Sequence, residues 1–571
     1  MFCLGGINGH SRLPPCPAWP AEGESKLMKR FFNTRETIVT EALDGFLRSA
    51  AGSHLCRLDG YPDTCVVMQR EPDRTQVAVI SGGGSGHEPA HAGFVGRGML
   101  TAAVCGALFA SPCVDAIVAA ILATTGDAGC LLVVKNYTGD RLNFGLAAER
   151  ARALGKQVEM VIVGDDIALP DSATPRGVAG TVLAHKLAGY GAMQGWPLTR
   201  VAEFVRDGAR RMRTIGLALE DCNPYEPDRA SRLSADQAEL GLGIHGEPGA
   251  QRITLARADD LMRTAADTLE ASLPTTVRNT RFALVLNNLG AVPEVEMALL
   301  LEAFSHTPLA RRVSHVIGPA PLMTALDMNG FSITLIELDE AITTALQAAA
   351  QPRAWPGIAP LGSPAIAPMP PMPDAFPYPA TPNPALRGVL ERGAQVLVAN
   401  EKALNELDGR IGDGDAGSTF AGAAREITAA LDRLPLADPH HLMTTIGNIL
   451  TQHAGGSSGV LFAIMFSAAG RSPEPWRQAL RDGLEHMMAC GGAKPGDRTM
   501  IDALYPALEV LATGGGLPDV AQAAREGANS TTTMASARAG RAAYVPSAQV
   551  RDVPDPGAEA VARLLEGLAA G

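Results

Sequence analysis

PRAWPGIAPLGSPAIAPMPPMPDAFPYPATPNP, residues 352–384, carries twelve prolines in thirty-three positions, with Arg353 and Asp374 as its only charges. Each proline fixes φ and removes a backbone donor, so neither a helix nor a central strand runs through the segment. In polyproline form, at about 3.1 Å per residue, it could reach on the order of 100 Å. Residues 351–384 therefore read as a linker, and the chain changes character across it.

Upstream, short apolar runs alternate with Ala-rich amphipathic stretches: VAVI (77–80), CLLVV (130–134), VEMVIV (158–163), FALVLNN (282–288) and FSITLIEL (331–338). Continuous apolar strands between helical segments predict α/β layers with buried sheets over residues 28–350. The polar, turn-rich EDCNPYEPDRASRL (220–233) suggests a boundary near residue 225 between two α/β subdomains. Downstream, residues 385–571 show Ala/Leu helical periodicity, as in ALRGVLERGAQVLVANEKALNELD (385–408), which predicts an all-helical domain.

At 571 residues the chain is long enough for several cores, which excludes a small disulfide-stapled scaffold. Sixty acidic against 48 basic residues give a net charge of −12, which argues against nucleic acid or an anionic membrane as partner. The nine cysteines are scattered without a C-x-x-C pair, as suits reduced thiols in a cytoplasmic protein. No apolar run reaches the length of a membrane helix. Residues 1–27 are expected to be a disordered tail or an over-called start, because MKRFFNTRETIVTEALDGFL from Met28 looks like the beginning of a domain.

Three glycine-rich segments bear on chemistry. GLGIHG (241–246) and GDGDAG (412–417) satisfy G-x-G-x-x-G, but neither directly follows a good strand, and no G-x-x-x-x-G-K-[ST] is present. VAVISGGGSGHEPAHAGFVG (77–96) reads as a strand, a glycine loop and a helix beginning near Glu88-Pro89. Gly82, Gly83, Gly84 and Gly86 would let backbone approach a small polar ligand, or simply form a tight turn. His87 at a strand's C-terminal edge favours chemistry over the bare turn. LLVVKNYTGD (131–140) also ends in polar residues, offering Asp140 as a general base on a hydroxyl and Lys135 for charge neutralisation, with helix capping by Asp140 as the plain alternative. His245, ringed by glycines and close to Glu247, is expected to be exposed and reactive.

LDGRIGDGDAGSTF (407–420) sets Asp408, Asp413 and Asp415 within eight residues, with Arg410 as the only local counter-charge. Such carboxylates repel unless a hard cation sits among them, and Mg²⁺ usually shares oxygen ligands with substrate phosphates. An EF-hand is excluded, because counting from Asp413 the fifth and twelfth positions are Gly417 and Ala424. HAGGSSGVLF (453–462), CGGAKPGDRTMIDAL (490–504), GRAAYV (540–545) and DPGA (555–558) interrupt the helices, as loops cradling a nucleotide would.

SGGGSGHEPAHAGFVG, KNYTGDRLNF (135–144), GIHGEPG, LDGRIGDGDAG, GGSSG and PGDRTMIDAL together resemble, in this order, the dihydroxyacetone kinase family in its single-chain, ATP-dependent form. The resemblance covers residues 28–571 and implies a substrate domain of two α/β subdomains followed by an eight-helix barrel that holds Mg-ATP. It implies that His245 captures a ketose as a covalent hemiaminal and that His87 and Asp140 form an acid/base pair. Gly84, Ser85, Gly86 and Lys135 would contact the substrate. Asp408, Asp413 and Asp415 would hold two Mg²⁺ ions. The nucleotide would meet Ala416, Gly417, Ser418, Thr419, Ser457, Ser458, Gly491, Thr499, Met500, Arg541, Asp555, Pro556 and Gly557. Ala416 departs from the His common in the family at this place. The implied activity is phosphorylation of dihydroxyacetone, with glyceraldehyde as a second substrate, by a homodimer. The alternatives are an erythrulose-type kinase, a FAD-AMP lyase acting through the helical domain, and a non-catalytic ketose sensor.

Overall fold

The computed structural model describes residues 30–571 except 171, 173, 224–231, 278–279, 454–455, 540–542 and 544–550. The expected tail, residues 1–27, lies outside the described residues, as do Arg541 and the expected boundary near 225. The chain divides into two compact units between Ala365 and Ile366, inside the proline-rich segment.

The first unit holds two sheets. The first contains β1 (Leu55–Arg57), β2 (Val66–Gln69), β3 (Ala78–Ser85), β4 (Ala102–Leu108), β5 (Cys130–Lys135) and β6 (Val158–Val163), in the order β1-β2-β4-β3-β5-β6. β4, β3, β5 and β6 run parallel, so their C-terminal ends share one edge. The second contains β7 (Met212–Ala218), β8 (Gln237–Leu240), β9 (Gln251–Thr254), β10 (Phe282–Asn288), β11 (Val313–Ala320), β12 (Gly330–Glu337) and β13 (Ala359–Pro360), in the order β13-β11-β10-β12-β7-β8-β9. Since β7 already belongs to this sheet, the change of sheet precedes residue 212.

Alternation along the strands builds the layers. Ile80, Leu132 and Val134 face α2 (Val114–Thr124) and α3 (Thr138–Ala153), where Ile117, Ile121 and Phe144 close the outer core. Val79, Leu131 and Val133 face inward onto α4 (Gly180–Met193), α5 (Leu198–Arg210) and α8 (Glu340–Gln347). The same core takes Ala283, Val285 and Ile336 from the second sheet. Leu284, Leu286, Ile333 and Leu335 face the other way, onto α6 (Ala258–Ala271) and α7 (Glu294–Ser305). Both sheets are thus covered on both faces, which explains the continuous apolar runs. Those runs report burial and not direction: β12 is antiparallel to both β10 and β7.

Among the described residues the second unit is helical: α9 (Pro384–Ala399), α10 (Glu401–Asp408), α11 (Ala416–Ala429), α12 (Pro439–His453), α13 (Gly456–Arg471), α14 (Trp476–Gly491), α15 (Ile501–Ala512), α16 (Leu517–Ser530) and α17 (Pro556–Ala569). Asn400 ends α9 and begins α10, so the two form one broken rod. The rods pack in a closed cycle, each of α11 to α17 on its successor, with α9 contacting both α17 and α11. That cycle is an eight-helix barrel.

Candidate active site

The glycine run is the end of β3 itself, because Gly82 to Ser85 are strand residues beside β4. The helix expected near Glu88-Pro89 is absent. Residues 87–96 form turns with a short 3₁₀ segment, Ala92–Phe94. A solvent-facing helix would not serve here, since His87, His91 and Phe94 are all buried.

Adjacent ends of β3 and β5 bring Gly84, Ser85, Gly86 and His87 to the same edge as Lys135, the last residue of β5. Asp140 lies in the first turn of α3 and does not cap it; Tyr137 occupies that place. Ser111 Oγ donates to Asp140 Oδ1 at 2.5 Å. Ser85 Oγ donates to the Gly106 carbonyl at 2.7 Å, so its oxygen is left to accept. Lys135 is fully buried and its Nζ has no hydrogen-bond partner, a donor aimed into the site. Burial lowers its pKa, against the charges of Asp140, Glu247 and Glu88.

His245, on the loop between β8 and β9, meets this edge with its Nε2 3.1 Å from His87 Nε2. It is not the exposed residue its glycine neighbours suggested, since only 19% of its side chain is accessible. Tyr137 and Phe109 close on it edge-to-face at 4.5 and 5.4 Å, and His87 at 4.8 Å. Glycines 243 and 246 shape the loop, but these walls come from elements more than a hundred residues upstream. His87 Nδ1 meets the Thr324 carbonyl at 2.7 Å, and His245 Nδ1 meets Glu247 Oε1 at 3.2 Å. Phe109, Ser111, Tyr137 and Thr324 were not singled out in the sequence. Phe109, Ser111 and Tyr137 each follow the C-terminal end of β4 or β5, which is the one positional signal they carried.

In the helical unit, carboxylate oxygens of Asp408, Asp413 and Asp415 lie within 4.8 Å of one another. Asp408 Oδ2 accepts from the backbone N–H groups of Gly414, Asp415 and Ala416, at 2.9, 3.0 and 3.2 Å, and so fixes the acidic loop. The triad opens on a cavity into which three helix starts project: Ala416 and Thr419 of α11, Ser457 and Ser458 of α13, and Pro556 and Gly557 of α17. Free N–H groups and dipoles at helix N-termini favour anions. Gly491, Thr499, Met500 and Asp555 also line it. Gly417 and Ser418 do not: Gly417 packs on the Glu401 backbone and Ser418 pairs with Asn405. Leu461, Met487 and Met488 supply an apolar wall that the sequence had not flagged. Three clustered hard oxygen donors beside anion-seeking helix ends fit Mg²⁺ with a polyphosphate.

Residues 48–354 match the Dak1 domain model and residues 410–570 the DAK2 domain model. A dihydroxyacetone kinase of Citrobacter freundii is 48% identical over 94% of this chain and 98% of its own length. The chain belongs to the dihydroxyacetone kinase family. Within that family, the triokinase/FMN cyclase of Homo sapiens is 39% identical over 95% of this chain and 98% of its own. The crystal structure of the C. freundii dihydroxyacetone kinase in complex with AMP-PNP and Mg²⁺ superposes with a TM-score of 0.75 at 46% identity, covering 95% of this chain and 99% of that one. The order of an α/β substrate-type unit followed by an α-helical barrel is therefore the order of this kinase family.

Proposed function

We propose that the protein phosphorylates dihydroxyacetone with ATP, giving dihydroxyacetone phosphate. The observation that carries the reading is the His245–His87 pair, 3.1 Å apart on the edge that also holds Lys135 and Asp140. A neutral imidazole adds to a ketone carbonyl and not to an alcohol, so a short ketose is held through His245 and glycerol is refused. Lys135, fully buried and with no hydrogen-bond partner at its Nζ, orients the substrate's oxygens. Asp140, aligned by Ser111, takes the proton of the terminal hydroxyl as it attacks.

Asp408, Asp413 and Asp415 would hold two Mg²⁺ ions, and Ala416, Thr419, Ser457, Ser458, Gly491, Thr499, Met500 and Asp555 to Gly557 would surround the nucleotide. Bound there, the metal neutralises phosphate charge, which is most of what phosphoryl transfer asks of a protein. The domain limits of this reading are 28–350 for ketose, 351–384 for the linker and 385–571 for Mg-ATP. The reading includes a cytoplasmic homodimer, with the seven cysteines among the described residues free, as in a reducing compartment. The cyclase in the human relative's name favours a second reading, nucleotide cleavage at the helical unit's acidic cluster.

A coupled ADP-release assay with Mg-ATP separates these readings. Wild type and His245→Ala are tested against dihydroxyacetone, D-glyceraldehyde, erythrulose and glycerol. Expected are carbonyl-dependent turnover, its loss in His245→Ala, and no response to glycerol. Turnover on no carbonyl substrate sinks the kinase reading, whereas FAD cleavage that survives His245→Ala supports the second.

A further inference from the structure

Behind the edge that carries Lys135 lies a patch of buried polar side chains that the reaction above leaves without a role. Ser81 of β3 stands opposite Val133 of β5, so Ser81, Gly83, Val133 and Lys135 share the inward face of the first sheet, toward α4. His185 of α4 and His91, from the turns after β3, meet there with ring centroids 5.2 Å apart. Ser81, Lys135 and His185 are fully buried, and His91 is nearly so. Ser81 Oγ lies 2.7 Å from the Val133 carbonyl, which only accepts, so the serine hydrogen goes there. The serine oxygen then accepts from His185 Nε2 at 3.1 Å and from His91 Nδ1 at 3.4 Å. Burial, and then the Lys135 charge, keep His91 neutral, which leaves a lone pair on its Nε2. Among the described residues neither that nitrogen nor Lys135 Nζ has a hydrogen-bond partner. Yet the two converge, because a Cβ on Gly83 would lie 3.4 Å from His91 Nε2 and 2.8 Å from Lys135 Nζ. A buried acceptor that lacks a donor thus shares one glycine with a buried donor that lacks an acceptor, and leaving either unpaired is costly.

We propose that His91 is the positioning residue for Lys135: its Nε2 lone pair accepts one ammonium hydrogen, directly or through one water, and so aims the other two at the substrate. The inference rests on the ketose reading above, in which Lys135 orients the substrate's oxygens. An ammonium turns freely about its last bond, and the charges of Asp140, Glu247 and Glu88 attract it without fixing that rotation. Holding one hydrogen removes the freedom and leaves two donors in set directions.

The donors run one way, from Lys135 to His91, from His91 Nδ1–H to Ser81, and from the Ser81 hydroxyl to the Val133 carbonyl. That carbonyl lies two residues before Lys135 on the same strand, so the chain closes on β5 and registers the amine against its own backbone. His185 fills the serine's second lone pair and holds the hydroxyl in place. Gly83 provides the clearance, since any side chain there would displace the lysine's amine.

The test begins with the full chain labelled with ¹⁵N-histidine at pH 7, His91→Gln and His185→Gln serving to assign signals. Expected are opposite tautomers, with the hydrogen on Nδ1 of His91 and on Nε2 of His185. A hydrogen on His91 Nε2 overturns the chain of donors. Lys135→Met removes the donor and keeps the bulk, so it should move the His91 Nε2 signal toward that of a free lone pair and leave the His185 tautomer as it was. An unmoved His91 signal overturns the pairing. Turnover gives the second readout. His91→Met should raise the KM for dihydroxyacetone about 10- to 100-fold, the range of one hydrogen bond to a charged group, and leave the KM for Mg-ATP alone. His91→Gln, whose amide oxygen stands in for Nε2, should recover most of that loss. Equal losses in the two variants, or no loss in His91→Met, overturn the positioning role. Should His91→Met fail to fold, the Lys135→Met spectrum decides by itself. Turnover on no carbonyl substrate in wild type would instead refute the ketose reading, and the nitrogen spectra would still decide the pairing.

Discussion

Ser81 receives two histidines and gives its own proton to a carbonyl. Its Oγ donates to the Val133 carbonyl at 2.7 Å, so His185 Nε2 at 3.1 Å and His91 Nδ1 at 3.4 Å must both donate to it. Both rings are fixed as neutral donors, with His91 Nε2 and His185 Nδ1 left buried and bare. Burial, and then Lys135, push His185 down to about 3. The unfolded chain protonates this ring near 6.5 and the folded chain does not, so stability falls as pH drops below 6.5 and is unaffected above it. The loss is about 1.4 kcal/mol per pH unit in that window. His185→Gln keeps a donor for Ser81 without titrating, so its unfolding midpoint should vary less between pH 6.5 and 5 than that of wild type. Parallel pH curves would refute the argument. In the helical unit Asp408 has two duties, anchoring three backbone N–H groups and contributing charge to the acidic cluster. Asp408→Asn should therefore raise the Mg²⁺ concentration for half-maximal turnover about 10- to 100-fold. A titration with an unshifted midpoint would remove Asp408 from the metal site.

Strand β3 shows what an element contributes that its residues alone do not. It runs into the site as glycines because another backbone crosses it. A Cβ on Gly84 would lie 2.7 Å from the Ala110 nitrogen and from the Phe109 carbonyl carbon. Phe109 sits in the left-handed region at φ 55° and walls His245, so displacing it loosens the histidine's box. Gly84→Ala should raise the KM for dihydroxyacetone while leaving the KM for ATP as it was. A rise in both would mean that the fold, not the wall, was damaged. Periodicity made most elements legible: the apolar strands, the helices after the linker and the acidic turn at residue 408 all stand where their patterns put them. Two features escaped. The turns after Glu88 bury residues on every side, which no amphipathic pattern describes, and the Glu88-Pro89 pair reads as a helix start. The walls of His245 come from the ends of β4 and β5, brought to it by sheet order, which sequence spacing does not encode.

At the scale of the whole molecule, each unit closes cores of its own. Leu131, Val133, Val182 and Leu187 belong to the first, and Met465, Leu484, Leu504 and Val561 to the second. The segment that joins them has twelve prolines and cannot carry a helix or strand from one core into the other. Unfolding should therefore show two transitions, and ligand linkage should tell them apart. A ligand that binds only the folded form stabilises it by about 2.7 kcal/mol at a hundred times its Kd. For the helical unit, Ile366–Gly571, this moves the midpoint by roughly 5–10 °C, and for the larger α/β unit by less. Dihydroxyacetone should raise only the transition of the α/β unit, and Mg-ATP only that of the helical unit. The variants sharpen the expectation: His245→Ala should abolish the first shift and keep the second, and Asp408→Asn should keep the first and shrink the second at a fixed Mg²⁺ concentration. Calorimetry of the full chain with each ligand in turn decides the matter. One cooperative transition moved equally by both ligands would mean that the two units melt as one body and that the proline segment does not separate their stabilities.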